Sequence, residues 1–470
     1  MNGDAVGSAL RIPRIVIAGV SSHAGKTTAV VAVAAALAAR GLKVALFKCG
    51  PDYLDPTYHA RVCPKGSHNL DGWMMGRDAV LATFARAAEG ADIAIIEGVM
   101  GLFDGASPSG EEGSTAEIAK WLGAPVVLCV DASGMARSIA AVGLGFASFD
   151  PAVSVKGMIC NRVGSRSHLD ILKKACRTPI VVGGFPKMPE LHFPERHLGL
   201  RTADENAVPE AHFAAWADLA REWLDLDTFL AMAGLAAPLD VASTDVEAAA
   251  PAICRIGIAR DEAFHFYYED NLARLRQSGA ELVPFSPIHD PVLPDVDGLY
   301  IGGGYPEAHA AELSSNESMI RAIRSFAESG RPVYAECGGM MYMASAIVLL
   351  TGERHSMLGI IPGVVEMRDK LVALGYVEVE AQSDSFLGPA GARFRGHQFR
   401  YSEFQPDSSV ELEHLYRVRR RRGGDVFDEG YRVNNVIASY VHVHWASNPL
   451  VAESFVRNCV VGKSKDPVPA

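Results

Sequence analysis

The run from Ile15 to Arg40 constrains the fold more than any other part of the chain. An apolar, strand-like segment, Ile15-Val-Ile-Ala18, ends in Gly19-Val-Ser-Ser-His-Ala-Gly-Lys-Thr-Thr28, and a helix-forming stretch from Thr28 to Arg40 follows at once. Short β-rich runs then alternate with helical segments as far as Phe229. The expected strands are Ile15 to Ala18, Val44 to Phe47, Ile93 to Ile96, Val126 to Val130 and Val155 to Cys160, with a further helix over Ala79 to Ala88. That alternation predicts an α/β fold, a parallel sheet with helices on both faces.

The glycine loop is suited to phosphate. Its backbone N–H groups and the helix N-terminus behind them can cradle a nucleotide, with Gly25 and Thr28 lining the cradle. Lys26 would reach the β/γ oxygens and the Thr27 hydroxyl would ligate Mg²⁺. The strict pattern has four residues between its glycines; here five separate Gly19 from Gly25. Carboxylates gather where open α/β sheets bind ligands. Lys48-Cys-Gly-Pro-Asp-Tyr-Leu-Asp-Pro-Thr-Tyr-His59 contributes Lys48, Asp52 and Asp55, with Tyr53 and Leu54 between them. Asn69-Leu-Asp71 adds Asp71, and Glu97-Gly-Val-Met-Gly-Leu-Phe-Asp104 adds Glu97 and Asp104. So many negative charges beside phosphates imply at least one Mg²⁺, for which Glu97 and Asp52 are candidate ligands with Thr27. Asn161 can read an adenine edge or simply occupy a turn. Phe193 to Leu200, with Glu195, Arg196 and His197, reads equally as a substrate loop or a solvated one.

The second half starts a new strand–helix alternation at Arg255-Ile-Gly-Ile-Ala259, continues through Gly298 to Ile301 and Val333 to Ala335, and after Pro362 turns to strands without long helices, ending at Ile437 to His444. In Arg331-Pro-Val-Tyr-Ala-Glu-Cys-Gly-Gly-Met-Met-Tyr342, an apolar run rises to Cys337 and turns through two glycines into a helix-compatible stretch. Such an elbow presents a nucleophile, and a helix N-terminus favours its thiolate. A buried structural cysteine is the other reading. Tyr300-Ile-Gly-Gly-Gly-Tyr-Pro-Glu307 offers Gly303 and Gly304 as an oxyanion hole, or a plain turn. Tyr440-Val-His-Val-His-Trp445 puts His442 and His444 on one side of a strand, where either can serve Cys337 as base.

Composition closes off other classes. Nearly half of the 470 residues are hydrophobic and the net charge is −11, which argues against nucleic acid or an anionic membrane as partner. The five arginines between Arg417 and Arg422 therefore read as an exposed hairpin. Eight scattered cysteines without a C-x-x-C pair indicate neither a disulfide framework nor a zinc site, and point to a reducing cytoplasm. No segment has the length or composition of a signal peptide or a membrane span.

The chain resembles the cobyrinic acid a,c-diamide synthases, glutamine-dependent amidases of tetrapyrrole biosynthesis, from about residue 13 to 455. The resemblance is carried by Lys48 to His59, Glu97 to Gly105, Val130 to Arg137, Phe193 to Leu200, Gly302 to Glu307, Ala335-Glu-Cys-Gly-Gly339, Leu374 to Tyr376, Gly396-His397 and Ser439 to Pro449. It implies a dethiobiotin-synthetase-like ATP domain (11–231) joined to a class I glutamine amidotransferase domain (253–460); the Ala-, Pro-, Ser- and Asp-rich composition between them reads as a linker (232–252), with a disordered start (1–10) and a frayed tail (461–470). It implies that ATP phosphorylates an acetate side chain of the macrocycle and that ammonia from glutamine displaces the phosphate. Cys337 then forms a glutamyl thioester with His442 as preferred base and His444 as runner-up. Lys48, Asp52, Asp55 and Asp71 lie near the reacting carboxylate or metal, and Tyr53, Leu54 and Asp104 near the substrate. Cobyrinate, hydrogenobyrinate and metallated sirohydrochlorin or siroheme are all compatible, as is a homodimer. The sequence departs from the amidotransferase pattern in three places: Ala446 stands two residues after His444 where a Glu is usual, Gln398 stands in place of Glu, and Arg400 in place of a second His. A regulatory P-loop ATPase carrying an inactive amidotransferase-like module is the reading from a different class.

Overall fold

A computed structural model describes residues 10–107, 109–188, 208–240 and 251–463. The expected substrate loop at Phe193 to Leu200 lies outside them, as do most of the two termini. The chain forms two compact units, Met1–Val246 and Glu247–Ala470.

In the first unit, strands β1 (Arg14–Gly19), β2 (Val44–Cys49), β3 (Ser67–Leu70), β4 (Ile93–Gly101), β5 (Val126–Asp131), β6 (Val155–Val163) and β7 (Ile180–Pro186) build one sheet in the order β3-β2-β4-β1-β5-β6-β7. Every pairing in it is parallel. The helix Lys26–Ala39 is apolar almost throughout and packs its Val30, Val31 and Leu37 with Phe213 and Trp216 of the helix Glu210–Trp223. A helix buried on most sides needs no polar face. From β1 the chain moves outward to β2 and β3 on one side, and from β5 outward on the other. The strand order therefore reverses beside β1, and ligands bind open α/β sheets at the carboxyl ends flanking such a reversal. The phosphate-loop, Lys48, Asp71 and Glu97 motifs follow or occupy the carboxyl ends of β1, β2, β3 and β4.

The stretch expected to begin a linker at 232 does not do so. Met232 and Ala233 close the helix Leu226–Ala233 with both side chains in the core, and Leu239 pairs with Leu10 through two backbone hydrogen bonds of 2.9 and 3.0 Å. Buried apolar side chains override the linker-like Ala/Pro composition here. Leu10, assigned to a disordered start, is fixed by the same pair.

The second unit contains β8 (Cys254–Ala259), β9 (Phe264–Phe266), β10 (Ala280–Phe285), β11 (Gly298–Ile301), β12 (Gly303–Gly304), β13 (Val333–Glu336), β14 (Ala344–Val348), β15 (Arg354–Ser356), β16 (Ile361–Met367), β17 (Ala373–Ala381), β18 (Arg393–Arg400), β19 (Ser402–Pro406), β20 (Glu413–Arg420), β21 (Val426–Val433), β22 (Val436–Ser439) and β23 (His442–His444). Ten of these make one sheet, β10-β8-β11-β13-β22-β21-β20-β17-β18-β23, parallel as far as β22 and antiparallel beyond it. The run Ile437 to His444, expected as one strand, is two. Tyr440 and Val441 leave the ladder, Tyr440 N–H donating to Glu429 Oε1 and Val441 N–H to Ser439 Oγ, and β23 then pairs with β18 instead. Because only two residues join β22 to β23, the antiparallel part must curl until its two ends meet. Separate cores fill the two faces, one around Phe264, Met340 and Met343, the other around Tyr300, Tyr334 and Trp445.

Candidate active sites

In the first unit the loop folds as a phosphate cradle. Gly25 precedes the helix Lys26–Ala39 at φ 96°, in the left-handed region, and a Cβ there would stand 2.0 Å from Asn161 Nδ2. On Gly19 a Cβ would stand 2.6 Å from Ser21 O and 2.9 Å from Lys26 Nζ. Only backbone fits in that concavity, which leaves room for a ligand to approach it. Lys26 Nζ donates to Ser21 O (3.1 Å) and Met100 O (2.7 Å). Carbonyl acceptors hold the ammonium in place without neutralising it. Burial, and then the charge of Lys48, lower its pKa. These residues fit the phosphates of a nucleotide.

Behind the loop lies a buried charge cluster. Lys48 Nζ pairs with Asp55 Oδ2 (2.6 Å) and Glu97 Oε1 (2.9 Å) and donates to Gly98 O (3.1 Å). Desolvation would lower its pKa, but Asp55 and then Glu97 more than offset that and hold it above the usual lysine range. Glu97, fully buried, also receives the Thr27 hydroxyl on Oε1 (2.7 Å) and meets His59 Nε2 through Oε2 (2.7 Å). Thr27 and Glu97 thus offer two hard oxygens side by side. Among the described residues no group of three or more His, Cys, Asp or Glu is arranged to hold a metal. The two oxygens of Thr27 and Glu97 are of the kind Mg²⁺ takes, one or two from protein with the rest from phosphates and water.

The remaining expected residues have local duties. Asp52 Oδ1 accepts from the Leu54 and Asp55 N–H groups at the start of the helix Leu54–Ala60, a turn that fixes Tyr53 and Leu54. Asp71 caps the helix Gly72–Met75 through Met74 N–H (2.7 Å). Asp104 Oδ2 accepts from Gly101 N–H (3.0 Å). Thr28 lies in the first turn of Lys26–Ala39. Asn161 braces the loop: its Nδ2 donates to Ala24 O (3.1 Å) and its Oδ1 accepts from Arg162 N–H (2.9 Å). Sequence reasoning gave His59 no role, although Asp55 and His59 are four apart on one helix and so share a face.

In the second unit Cys337 stands at the apex between β13 and the helix Gly338–Met343, with φ 48° and ψ −101°. A non-glycine residue there carries strain of about 1–3 kcal/mol, sustained by the surroundings. Its N–H donates to Ser439 O (2.7 Å). A Cβ on Gly339 would lie 2.2 Å from Ile301 O, and one on Gly338 2.9 Å from Gly304 N and from Pro306 Cδ. The two glycines after the thiol are therefore the condition for the elbow to lie against the run from Ile301 to Gly304. On the other side of β12, a Cβ on Gly303 would lie 2.4 Å from His442 Cε1. Gly303 and Gly304 accordingly have the elbow and the His442 ring as neighbours. His444 sits elsewhere, its ring 4.6 Å from that of Tyr268 and its Nδ1 accepting from Ala446 N–H (3.3 Å).

Burial favours the uncharged forms of the thiol and of both histidines. It pushes the Cys337 thiol up to about 12, Glu307 adding to the rise and Arg400 and the Gly338 N–H opposing it. The expected helix-end thiolate is therefore not the resting form: a short helix cannot outweigh desolvation of a side chain only 7% exposed. Burial, then the neighbouring His397, pushes His442 down to about 3, and burial pushes His444 to about 4. Sequence reasoning also gave no role to Glu336, a carboxylate in an otherwise apolar strand. It is buried and accepts from Tyr300 OH (2.7 Å), Tyr334 OH (2.7 Å) and Val443 N–H (3.0 Å), so it ties the strand before the thiol to the strand of the histidines. All eight cysteines are buried thiols.

Comparison with known proteins agrees with this division. Residues 15–197 match the CobQ/CobB/MinD/ParA nucleotide binding domain, and residues 255–450 the CobB/CobQ-like glutamine amidotransferase domain. A cobyrinate a,c-diamide synthase from Leptospira interrogans serogroup Icterohaemorrhagiae serovar copenhageni is 51% identical over 451 residues, covering 96% of this chain and 99% of that protein. Synthases of the same name from Syntrophotalea carbinolica (46% identical, 95% of this chain and 98% of that one) and Priestia megaterium (42%, 96% and 98%) align as fully. With two such domains and relatives this similar over nearly the whole length, the chain belongs to the cobyrinate a,c-diamide synthase family.

Proposed function

We propose that the chain is an ATP- and glutamine-dependent ligase that converts the a and c acetate carboxylates of cobyrinate to amides, in the cytoplasm, as a step of cobalamin biosynthesis. The observation that carries this reading is Cys337, a thiol at a strained elbow against Gly303, Gly304 and the His442 ring, in a chain whose other unit carries a phosphate cradle. Neutral His442 accepts the thiol proton as sulfur attacks the side-chain amide of glutamine. Gly303 and Gly304 receive the developing oxyanion. Collapse of the intermediate expels ammonia, and water releases glutamate from the thioester. His442 rather than His444 takes this role because His442 is the imidazole beside the glycines.

At the other site Lys26 steadies the phosphates, and Thr27 and Glu97 would hold Mg²⁺. The metal would supply charge neutralisation at the transferred phosphoryl group. Lys48, kept protonated by Asp55 and Glu97, presents its charge toward the substrate carboxylate, whose oxygen attacks the γ-phosphorus. Asp52, Asp71, Asp104, Tyr53 and Leu54 shape the macrocycle's seat. The acyl phosphate carries the leaving group that the carboxylate lacks, and ammonia displaces phosphate from it. Making NH₃ from glutamine avoids drawing on free ammonia, which is mostly NH₄⁺ at neutral pH.

The test is mass spectrometry of products after incubation with ATP, Mg²⁺, glutamine and a panel of cobyrinate, hydrogenobyrinate and metallated sirohydrochlorin. Two carboxylate-to-amide conversions on cobyrinate alone are expected. Conversion of another member instead reassigns the substrate, and none at all leaves the regulatory ATPase. Cys337→Ala should abolish amidation from glutamine and retain it from ammonium; glutaminase activity persisting in that variant removes the nucleophile.

A further inference from the structure

We infer that Glu307 and Arg400 recognise the amino-acid head of glutamine, Glu307 taking its ammonium group and Arg400 its carboxylate, while the amide end lies at Cys337. This rests on the reading of Cys337 as the glutaminase nucleophile and deepens it. The two residues reach the thiol from different elements. Pro306, just before Glu307, lies against Gly338, the residue after the thiol. The carbonyl oxygen of Phe399, just before Arg400, is 4.0 Å from Cys337 Sγ.

Neither residue has a salt-bridge partner among the described residues, and they do not pair with each other. The Arg400 guanidinium lies over the Tyr440 ring, 4.3 Å from its centroid, with one amino group donating to Ser402 O (2.6 Å). Its Nε is buried and makes no hydrogen bond among the described residues. Glu429, which feels the Arg400 charge without forming an ion pair with it, is already occupied by Ser439 Oγ and Tyr440 N–H. Glu307 is desolvated, its pKa pushed up to about 7, with only its own backbone N–H to ease it. A half-buried acid and a half-buried base, neither in an ion pair among the described residues, are relieved by a ligand bearing the opposite pair of charges. Their effects on the thiol agree with this placement, since Glu307 raises its pKa and Arg400 lowers it. The zwitterionic head of an α-amino acid carries both charges on one carbon. Arg400 is also where this sequence departs from the usual histidine.

The experiment measures ammonia release by the full chain from three amides: glutamine, glutaramate (no α-amino group) and 4-aminobutanamide (no α-carboxylate). Wild type should prefer glutamine over each analogue by at least about tenfold in kcat/KM, the factor of one charge-assisted hydrogen bond. In Arg400→Met the preference over 4-aminobutanamide should collapse while that over glutaramate remains; Glu307→Gln should show the reverse, and Arg400→Lys should restore part of the lost preference. If a variant loses all three amides in parallel, or the wild type shows no preference, the head-group assignment is overturned and the nucleophile stands. A wild type that amidates with ammonium yet hydrolyses none of the three overturns the glutaminase reading itself.

Discussion

Replacing Glu336 by Gln should make the second unit less sensitive to alkaline pH, by an amount the structure fixes. Burial pushes this carboxyl from 4.5 up to about 7, its three donors only partly offsetting the cost. The folded state therefore holds the proton more tightly than the unfolded state. The stability this provides is fully present below 4.5 and is lost as pH rises through 7. At about 1.4 kcal/mol per pKa unit, the loss is about 3 kcal/mol. Glutamine keeps the shape and does not titrate. Its carbonyl can still accept from Tyr334 and Val443, while its amino group faces Tyr300, a mismatch of about 1 kcal/mol that is the same at every pH. Glu307 and the buried histidines titrate in both chains and cancel in the difference. Hydrogen exchange of amides in β13, β22 and β23, corrected for intrinsic rates, reads the opening free energy of this region. Between pH 4.5 and 8 the variant should gain about 3 kcal/mol on the wild type. A difference that stays flat across that range would refute the argument, because it would mean that Glu336 folds with an ordinary pKa.

Three further outcomes are expected. Gly303→Ala places a methyl group 2.4 Å from His442 Cε1, so the ring must move, and ammonia release from glutamine should fall at least about tenfold; an unchanged kcat would separate His442 from the chemistry. With the Cys337 thiol pushed up to about 12, its alkylation by iodoacetamide, followed by peptide mapping, should accelerate about tenfold per pH unit from 7 to 9. A plateau below pH 8 would mean a resting thiolate. Lys48→Met leaves Asp55 and Glu97 buried without their shared cation and should cost about 3–5 kcal/mol in urea unfolding of the first unit; a loss under about 1 kcal/mol would show that the pair protonates or hydrates readily.

What the sequence made legible was local. The loop before Lys26 and the elbow at Cys337 each announce a strand, a tight glycine turn and a helix within a dozen residues, and both form as expected. Strand β3, Ser67-His-Asn-Leu70, was missed because it is too polar to read as a buried strand. Its Ser67 and Asn69 are buried by bonding to His59 and to the carbonyls of Gly50 and Asp52. Strand β7 was missed because Gly183 and Gly184 look like a turn. They are there because Trp223 O and Cys160 O each come within 2.3 Å of where a Cβ would stand. Period-two alternation puts His442 and His444 on one side of β23 and cannot rank them. Gly303 and Tyr268, far away in sequence, give the two rings different neighbours. The desolvation that pushes the Cys337 thiol up is hidden from sequence for the same reason, since it belongs to the packed core.

The backbone angles of Cys337 have a consequence for how this protein can decay. At φ 48° and ψ −101° the fold would be more comfortable with glycine at the apex, so the thiol is held where only its chemistry justifies a side chain. In a lineage that no longer needed to hydrolyse glutamine, Cys337→Gly would relieve strain rather than cause it, and drift would run downhill toward a sturdier, silent domain. The elbow thus sets stability against the thiol at a single residue, and a side chain is kept there only at the expense of the fold.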